Sequence, residues 1–366
     1  MSILVLKLNN LTQIEIIDPP SNHRHFLENE YYYLNKQKNA SINPDVRITF
    51  KPDLEMKDSA VIVSSPVGYD SHGVFFFDLQ NRISRIDFSN FSKSTIEIIV
   101  DKQFNARFLS IIIEYLLSNL LLAKNGCFCH ASAIKYKGKV FLFPAWRHVG
   151  KTNLLLSFLK DGAEVIADDG VFLFKDGTIL PYSKCIHLLY YNFKEFPHLM
   201  DKVDKSTLSL FKFVSNAKQG IYNIDKGLIE ELQKKITRRF LFSDISNIQH
   251  IPQEEKIDYV FYLRKRNTFD INSLKINLVF PSYEELAIKA TEACIYEQNY
   301  FYLAYQTFCF ITGTRIELLD NYRKKIEYIH NNVFKNVIKT GELVFDNFIE
   351  HKNAKQLIKN FLINNY

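Results

Sequence analysis

Residues 139–160 read K-V-F-L-F-P-A-W-R-H-V-G-K-T-N-L-L-L-S-F-L-K. The apolar run Lys139–Pro144 predicts a short buried strand, and Asn153–Lys160 predicts a helix. Between them lies A-W-R-H-V-G-K-T, Ala145 to Thr152, which departs at one position from the phosphate loop G-x-x-x-x-G-K-[ST]. Strand, glycine-containing loop and helix is the order such a loop requires. Backbone N–H groups at the helix start then point at phosphates, and the helix dipole adds favourable potential. In that arrangement Lys151 pairs with phosphate oxygens, the Thr152 hydroxyl ligates Mg2+, and Gly150 allows close backbone approach. The nucleotide-contacting stretch is Ala145, Trp146, Arg147, His148, Val149, Gly150, Lys151, Thr152 and Asn153. Ala145 stands where glycine is usual; a position needing φ > 0 would cost an alanine about 1–2 kcal/mol. Trp146, Arg147 and His148 are bulkier than the pattern. Arg147 either adds a phosphate contact or contributes to a crowding that closes the loop to nucleotide.

Upstream, Ala131–Tyr136 predicts a strand that Lys137-Gly138 turns back into the first one. Downstream, Asp161-Gly162 stops the helix, and Glu164–Ala167 predicts a strand ending in Asp168-Asp169. Ligands of open parallel sheets sit at the carboxyl ends of strands, which places this Asp pair beside Thr152. One carboxylate can hold Mg2+ while the other takes a proton from an attacking hydroxyl. Val171–Lys175 and Thr178–Tyr182 flank Asp176-Gly177, a strong hairpin signal. Asp258–Arg264 predicts a further buried strand, with Arg264 at its end. Arg264 is either a stabiliser of transition-state charge or a solvated strand end, and Arg238-Arg239 is a weaker candidate for the same role. His130 opens the first hairpin strand in C-F-C-H-A-S-A, as a site residue or as a core histidine. Cys127-x-Cys129-His130 offers metal-type ligands, but a four-ligand zinc site needs a second pair, and no pair follows at a suitable spacing. His23-Arg24-His25 lacks a third ligand nearby and reads as a solvated loop.

Across 366 residues, 47% hydrophobic and 23% charged content predicts a globular chain of roughly two domains. Residues 1–107 read as β-rich, 108–275 as the P-loop core, and 276–366 as mainly helical. The net charge of +6 is mild and spread out, and no basic-aromatic stripe appears, which argues against nucleic acid as a partner. Phe108–Ala123 is the most apolar stretch. It is too short to span a bilayer and carries Glu114, Ser118 and Asn119, so a buried amphipathic helix is expected, and no membrane partner. Five cysteines at irregular spacing, with no charged leader or cleavage signature in the opening residues, predict reduced thiols and a cytoplasmic location.

The ordered set His130-A-S-A-I, F-L-F-P-A-W-R-H-V-G-K-T, G162-A-E-V-I-A-D168-D169 and D176-G-T-I resembles the HPr kinase/phosphorylase family. The match covers about residues 125–182. The resemblance implies an α/β fold with a phosphoenolpyruvate carboxykinase-type P-loop core. It implies ATP- and Mg2+-dependent phosphorylation of a protein or peptide serine, and a homo-oligomeric assembly. It implies Asp168 as the base, Asp169 as a metal ligand beside Thr152, and His130 lining the site; Lys151 and Arg264 complete the catalytic set. Ala145 and the W-R-H insert depart from the family's small-residue loop, and its downstream protein-binding signature is absent. A small metabolite or peptide natural product is therefore an alternative acceptor, and a catalytically silent nucleotide-binding partner an alternative role.

Overall fold

A computed structural model describes residues 2–32, 34, 43–91, 94–147, 149–182, 185–188, 192–193, 197–218, 238–240, 254–266, 276–346 and 351–364. The chain is mixed α/β. It forms two compact units, Met1–Lys184 with Pro252–Tyr366, and Cys185–Ile251. The first unit carries parts of all three regions read from the sequence. Residues 185–251, read as part of the middle region, pack as a unit of their own.

The first eight strands are β1 Ile3–Leu8, β2 Thr12–Ile17, β3 Val46–Lys51, β4 Val61–Ser64, β5 Val67–Asp70, β6 Gly73–Phe77, β7 Ile83–Ile86 and β8 Ile96–Asp101. They form one sheet in the order β1-β2-β3-β8-β7-β6-β5-β4. Alternate residues turn inward, for example Leu4, Leu6 and Leu8 on β1 and Ile96, Ile98 and Val100 on β8. Helix α1 (Ser21–Glu30) packs on α2 (Ala106–Leu122) beside this sheet. The His23-Arg24-His25 segment lies in α1, not in a solvated loop. His23 is buried, and its Nε2 donates to the Phe104 carbonyl at 2.6 Å.

Next come β9 Gly126–Cys129, β10 Ala131–Tyr136, β11 Lys139–Pro144, α3 Lys151–Leu159, β12 Glu164–Ala167, β13 Val171–Phe174 and β14 Thr178–Pro181. The turn expected at Lys137-Gly138 is present, with both residues left-handed at φ 52° and 74°. Gly162, at φ 81°, follows the end of α3. The second unit holds β15 Ile186–Leu188 and β16 Arg238–Phe240, paired antiparallel, with α4 Lys205–Lys218 between them in sequence. Phe193 joins Phe211 and Phe240 in its core, at ring separations of 5.5 and 6.0 Å. Arg238 and Arg239 place their backbone in β16.

The first unit resumes with β17 Glu255–Lys256, β18 Tyr259–Arg266, β19 Ile276–Val279, α5 Tyr283–Glu297, α6 Asn299–Thr312, α7 Glu317–Asp320, α8 Tyr322–Asn336, β20 Lys339–Asp346 and α9 His351–Asn364. The expected strand at Asp258–Arg264 is β18. The mainly helical C-terminal region also contributes β19 and β20, which complete the second sheet in the order β12-β10-β11-β18-β20-β19. Strand β10 runs antiparallel to β11 and β12, while β18 runs parallel to β11 and β20. Strands β11, β12, β18 and β20 therefore all end at one edge, and β10 begins there. A third sheet, β17-β14-β13-β9, lies alongside. Among the described residues no helix is long and apolar enough to cross a membrane.

Ser118 and Asn119 of α2 point inward rather than to solvent. They are satisfied by Gln298, the residue between α5 and α6. Gln298 donates to Ser118 Oγ at 2.6 Å, and Asn119 donates to Gln298 Oε1 at 2.9 Å and accepts from the Tyr302 hydroxyl at 2.8 Å. A buried polar group without a partner costs about 1–3 kcal/mol, so this network fixes where α5 ends. Asn119→Ala should lower the free energy of urea unfolding by about 2–3 kcal/mol. A change below about 0.5 kcal/mol would mean that Gln298 and Tyr302 find other partners.

Candidate functional site

The A-W-R-H-V-G-K-T loop starts where β11 ends. Ala145 bridges Leu263 of β18, and its N–H donates to the His130 carbonyl at 3.1 Å. Its φ is not positive, so no glycine is required there and alanine carries no backbone strain. Gly150 is the position that needs glycine. It caps α3 in the left-handed region at φ 108°, ψ 29°, where a Cβ would be strained. Val149 and Asn153 are buried. His148 lies outside the described residues.

Lys151 opens α3 and is only 5% exposed. Such a buried ammonium needs partners, and among the described residues it has two. Its Nζ lies 3.4 Å from Asp169 Oδ1 and contacts His130 Nε2. Thr152, the next residue, donates its hydroxyl to Asp168, at 2.9 Å from Oδ2 and 3.2 Å from Oδ1. The two residues of the loop motif thus meet the two carboxylates of the Asp pair, one each. Strand β12 delivers both aspartates to the shared sheet edge. Asp168 is buried, whereas Asp169 turns out at φ 66° with its side chain 70% exposed.

His130 is buried at the start of β10. Its Nε2 stands 3.0 Å from Asp169 Oδ1, and its Nδ1 is 2.9 Å from Glu297 Oε1. The Nδ1 contact is off the line of a hydrogen bond, so its contribution is electrostatic. Burial and the Lys151 charge push the His130 pKa down, but the Asp169 and Glu297 carboxylates outweigh them and leave it raised. Burial would raise Glu297, yet His130 and Arg147 hold it below the usual carboxylate range.

Glu297 had no motif to announce it. It ends α5, which follows the site in the chain by more than a hundred positions, and it joins His130 to Arg147, whose guanidinium grips it with two nitrogens. Trp146 packs against Tyr296 with the rings tilted by 35° and their centres 4.6 Å apart, and the Arg147 guanidinium lies 5.7 Å from the same ring. The bulky W-R pair is therefore a docking device that ties the loop to the end of α5. Arg264 lies at the same sheet edge, one residue past the Ala145 bridge. Its Nε donates to buried Glu342 at 2.9 Å, and Lys289 donates to the same oxygen at 3.0 Å. Its guanidinium is thus held by β20 rather than by the His130 group.

No protein-family model matches the chain, and no curated protein matches it. A cavity of about 510 Å³, lined by Phe91, Phe308, Arg315 and Lys325 among others, includes none of these site residues.

Behind His130, on the opposite face of β9, sit Cys127 and Cys129, with Cys294 of α5 and His330 of α8 against them. All four are fully buried, and all five cysteines of the chain are free thiols. Burial raises the Cys294 thiol, but contacts from Cys129 and His330 reverse this and hold it well below the usual thiol range.

A group whose pKa is raised on folding stabilises the fold below its unfolded pKa, and that contribution is lost as pH rises through the folded pKa. The His130 contribution follows this rule. Titration of the His130 ring by NMR should give a midpoint above that of a free histidine, and Glu297→Gln should move it down. An unchanged midpoint in the variant would remove Glu297 from the account.

Proposed function

We propose that the chain is an ATP- and Mg2+-dependent kinase, built on an HPr kinase/phosphoenolpyruvate carboxykinase-type core, that passes the γ-phosphoryl group to a hydroxyl of a protein or peptide serine. The observation that carries the reading is the pairing of Lys151 with Asp169 and of Thr152 with Asp168, at one edge where β11 and β12 both end. A loop motif alone is weak. A loop motif whose lysine and threonine each meet a carboxylate delivered by another strand is a site with a job.

The residues suit the implied groups. A threonine hydroxyl and a carboxylate are hard oxygen donors of the kind Mg2+ takes. A buried lysine behind a left-handed glycine at a helix start suits phosphate. When bound, Mg2+ neutralises charge on the phosphate oxygens. Lys151 would hold the transferring phosphate, and Thr152 with Asp168 would hold the metal. Asp169 is exposed and lies beside His130 and Lys151, which favours it as the acceptor of the hydroxyl proton. This exchanges the roles that the family resemblance implies for the two aspartates. His130 would orient Asp169 and is itself kept in place by Glu297. The ion pair of Arg264 with Glu342 leaves it half exposed at the edge, within the β18 end that a substrate would approach.

One observation favours a second reading. Lys151 is already engaged by Asp169 and His130, and a nucleotide-binding protein without catalysis could keep that closed arrangement.

Calorimetric titration with Mg2+ and ATP should show binding that Lys151→Ala weakens at least tenfold, about 1.4 kcal/mol. Absence of binding in the unaltered protein would overturn the reading. Asp169→Asn should lower kcat by about 10²–10⁴-fold with nucleotide affinity kept, whereas Asp168→Asn should raise the Mg2+ requirement. Transfer at full rate by the Asp169 variant would return the base role to Asp168.

A further inference from the structure

We propose that Cys127, Cys129, Cys294 and His330 form a closed zinc site that ties β9 to α5 and α8. The ligand atoms of Cys129, Cys294 and His330 all lie within 4.8 Å of one another. Cys127 Sγ is 3.9 Å from His330 Nε2. Tetrahedral zinc, with bonds of about 2.3 Å to sulfur and 2.0–2.1 Å to nitrogen, sets neighbouring ligand atoms about 3.6–3.8 Å apart. Cys129, Cys294 and His330 already stand close to that spacing, and Cys127, which touches His330 but lies outside the trio, must turn its side chain toward the two sulfurs to serve as the fourth ligand.

The strand geometry explains why the two cysteines face one way. Residues two apart on β9 share a face, so Cys127 and Cys129 turn to the helices while His130 serves the phosphate loop. The second pair comes from two helices that pack on each other and on β9, Cys294 from α5 and His330 from α8. The sequence hides this pair because its members lie far from Cys127 and from each other.

His330 is oriented as metal-ligating histidines are. Its Nδ1 lies 2.9 Å from the Thr291 hydroxyl. Donation from Nδ1–H to that oxygen leaves the Nε2 lone pair aimed at the sulfurs. Sulfur is a poor hydrogen-bond partner, so without a metal three thiols would be a weak environment for a fully buried imidazole. Soft thiolates with one imidazole select zinc among common divalent ions, and complete burial leaves no open position for water. The role is therefore structural. Each ligating thiol gives up its S–H proton to solvent as its Zn–S bond forms, so acid favours release.

The site lies one residue from His130 and one helical turn from Glu297. Zinc would thus fix both ends of the His130–Glu297 contact. The proposal stands apart from the kinase reading, since its ligands include none of the phosphate-loop residues.

The test is zinc content of the full chain purified without chelator, by plasma mass spectrometry, with cobalt substitution beside it. About one zinc per chain is expected. Cys294→Ser and His330→Ala should lose at least nine-tenths of it, about a tenfold drop, whereas Cys185→Ser and Cys309→Ser should keep it. Because the first two variants could fail to fold, the unaltered protein is also stripped and titrated with Co2+. Intense tetrahedral d–d bands with a thiolate charge-transfer band are expected. No zinc above background together with no cobalt–thiolate band overturns the proposal. So does zinc that survives both ligand substitutions.

Discussion

Four parallel strands of one sheet end at a common edge, and the candidate chemistry depends on that constraint. The end of β11 launches the loop that begins at Ala145, the end of β12 releases the Asp pair, and the end of β18 supplies the backbone bridge to Ala145. The antiparallel strand β10 starts there, which is why His130 joins the group. A one-residue slip of β10 against β11 would put Cys129 or Ala131 in the place of the histidine and uncouple the carbonyl of His130 from Ala145.

A second layer holds that edge from outside. The end of α5 is fixed by buried Gln298 against Ser118 and Asn119, and it presents Tyr296 and Glu297 to the loop. A phosphate loop with glycine and small residues shapes itself around its ligand. This loop, with Trp146 and Arg147, is held by protein groups instead. The difference trades plasticity for a preset geometry.

What the sequence made legible follows the reach of local physics. The hairpin at Lys137-Gly138, β12 ending in Asp168-Asp169, and α3 bounded by Gly150 and Gly162 are all set within a few residues by turn chemistry and apolar runs, and they stand where expected. Ala145 is harmless because strand pairing, which a motif does not encode, keeps it extended. The burial of Ser118 and Asn119 was not legible because Gln298, the partner of both, lies far along the chain. Strand β20 escaped notice because Lys339–Asp346 sits among helical patterns, although it is the partner of β18 along eight residue pairs. Glu297, Cys294 and His330 carry no signal in the chain. Only tertiary packing brings them to His130 and Cys129.

The parallel pairing of β11 with β18 also sets an order of events. The strand that launches the loop and the strand that flanks it are separated by the whole of residues 185–251, and α5 follows later still. On the ribosome, the first half of the site emerges with an open sheet edge and no Glu297. A chain stalled or truncated before residue 297 would carry the entire loop motif and the Asp pair, yet could not hold them in register. The His130–Glu297 contact and the packing of Trp146 on Tyr296 therefore form only after the C-terminal helices have been made, so the geometry of the loop is among the last features of the fold to be set.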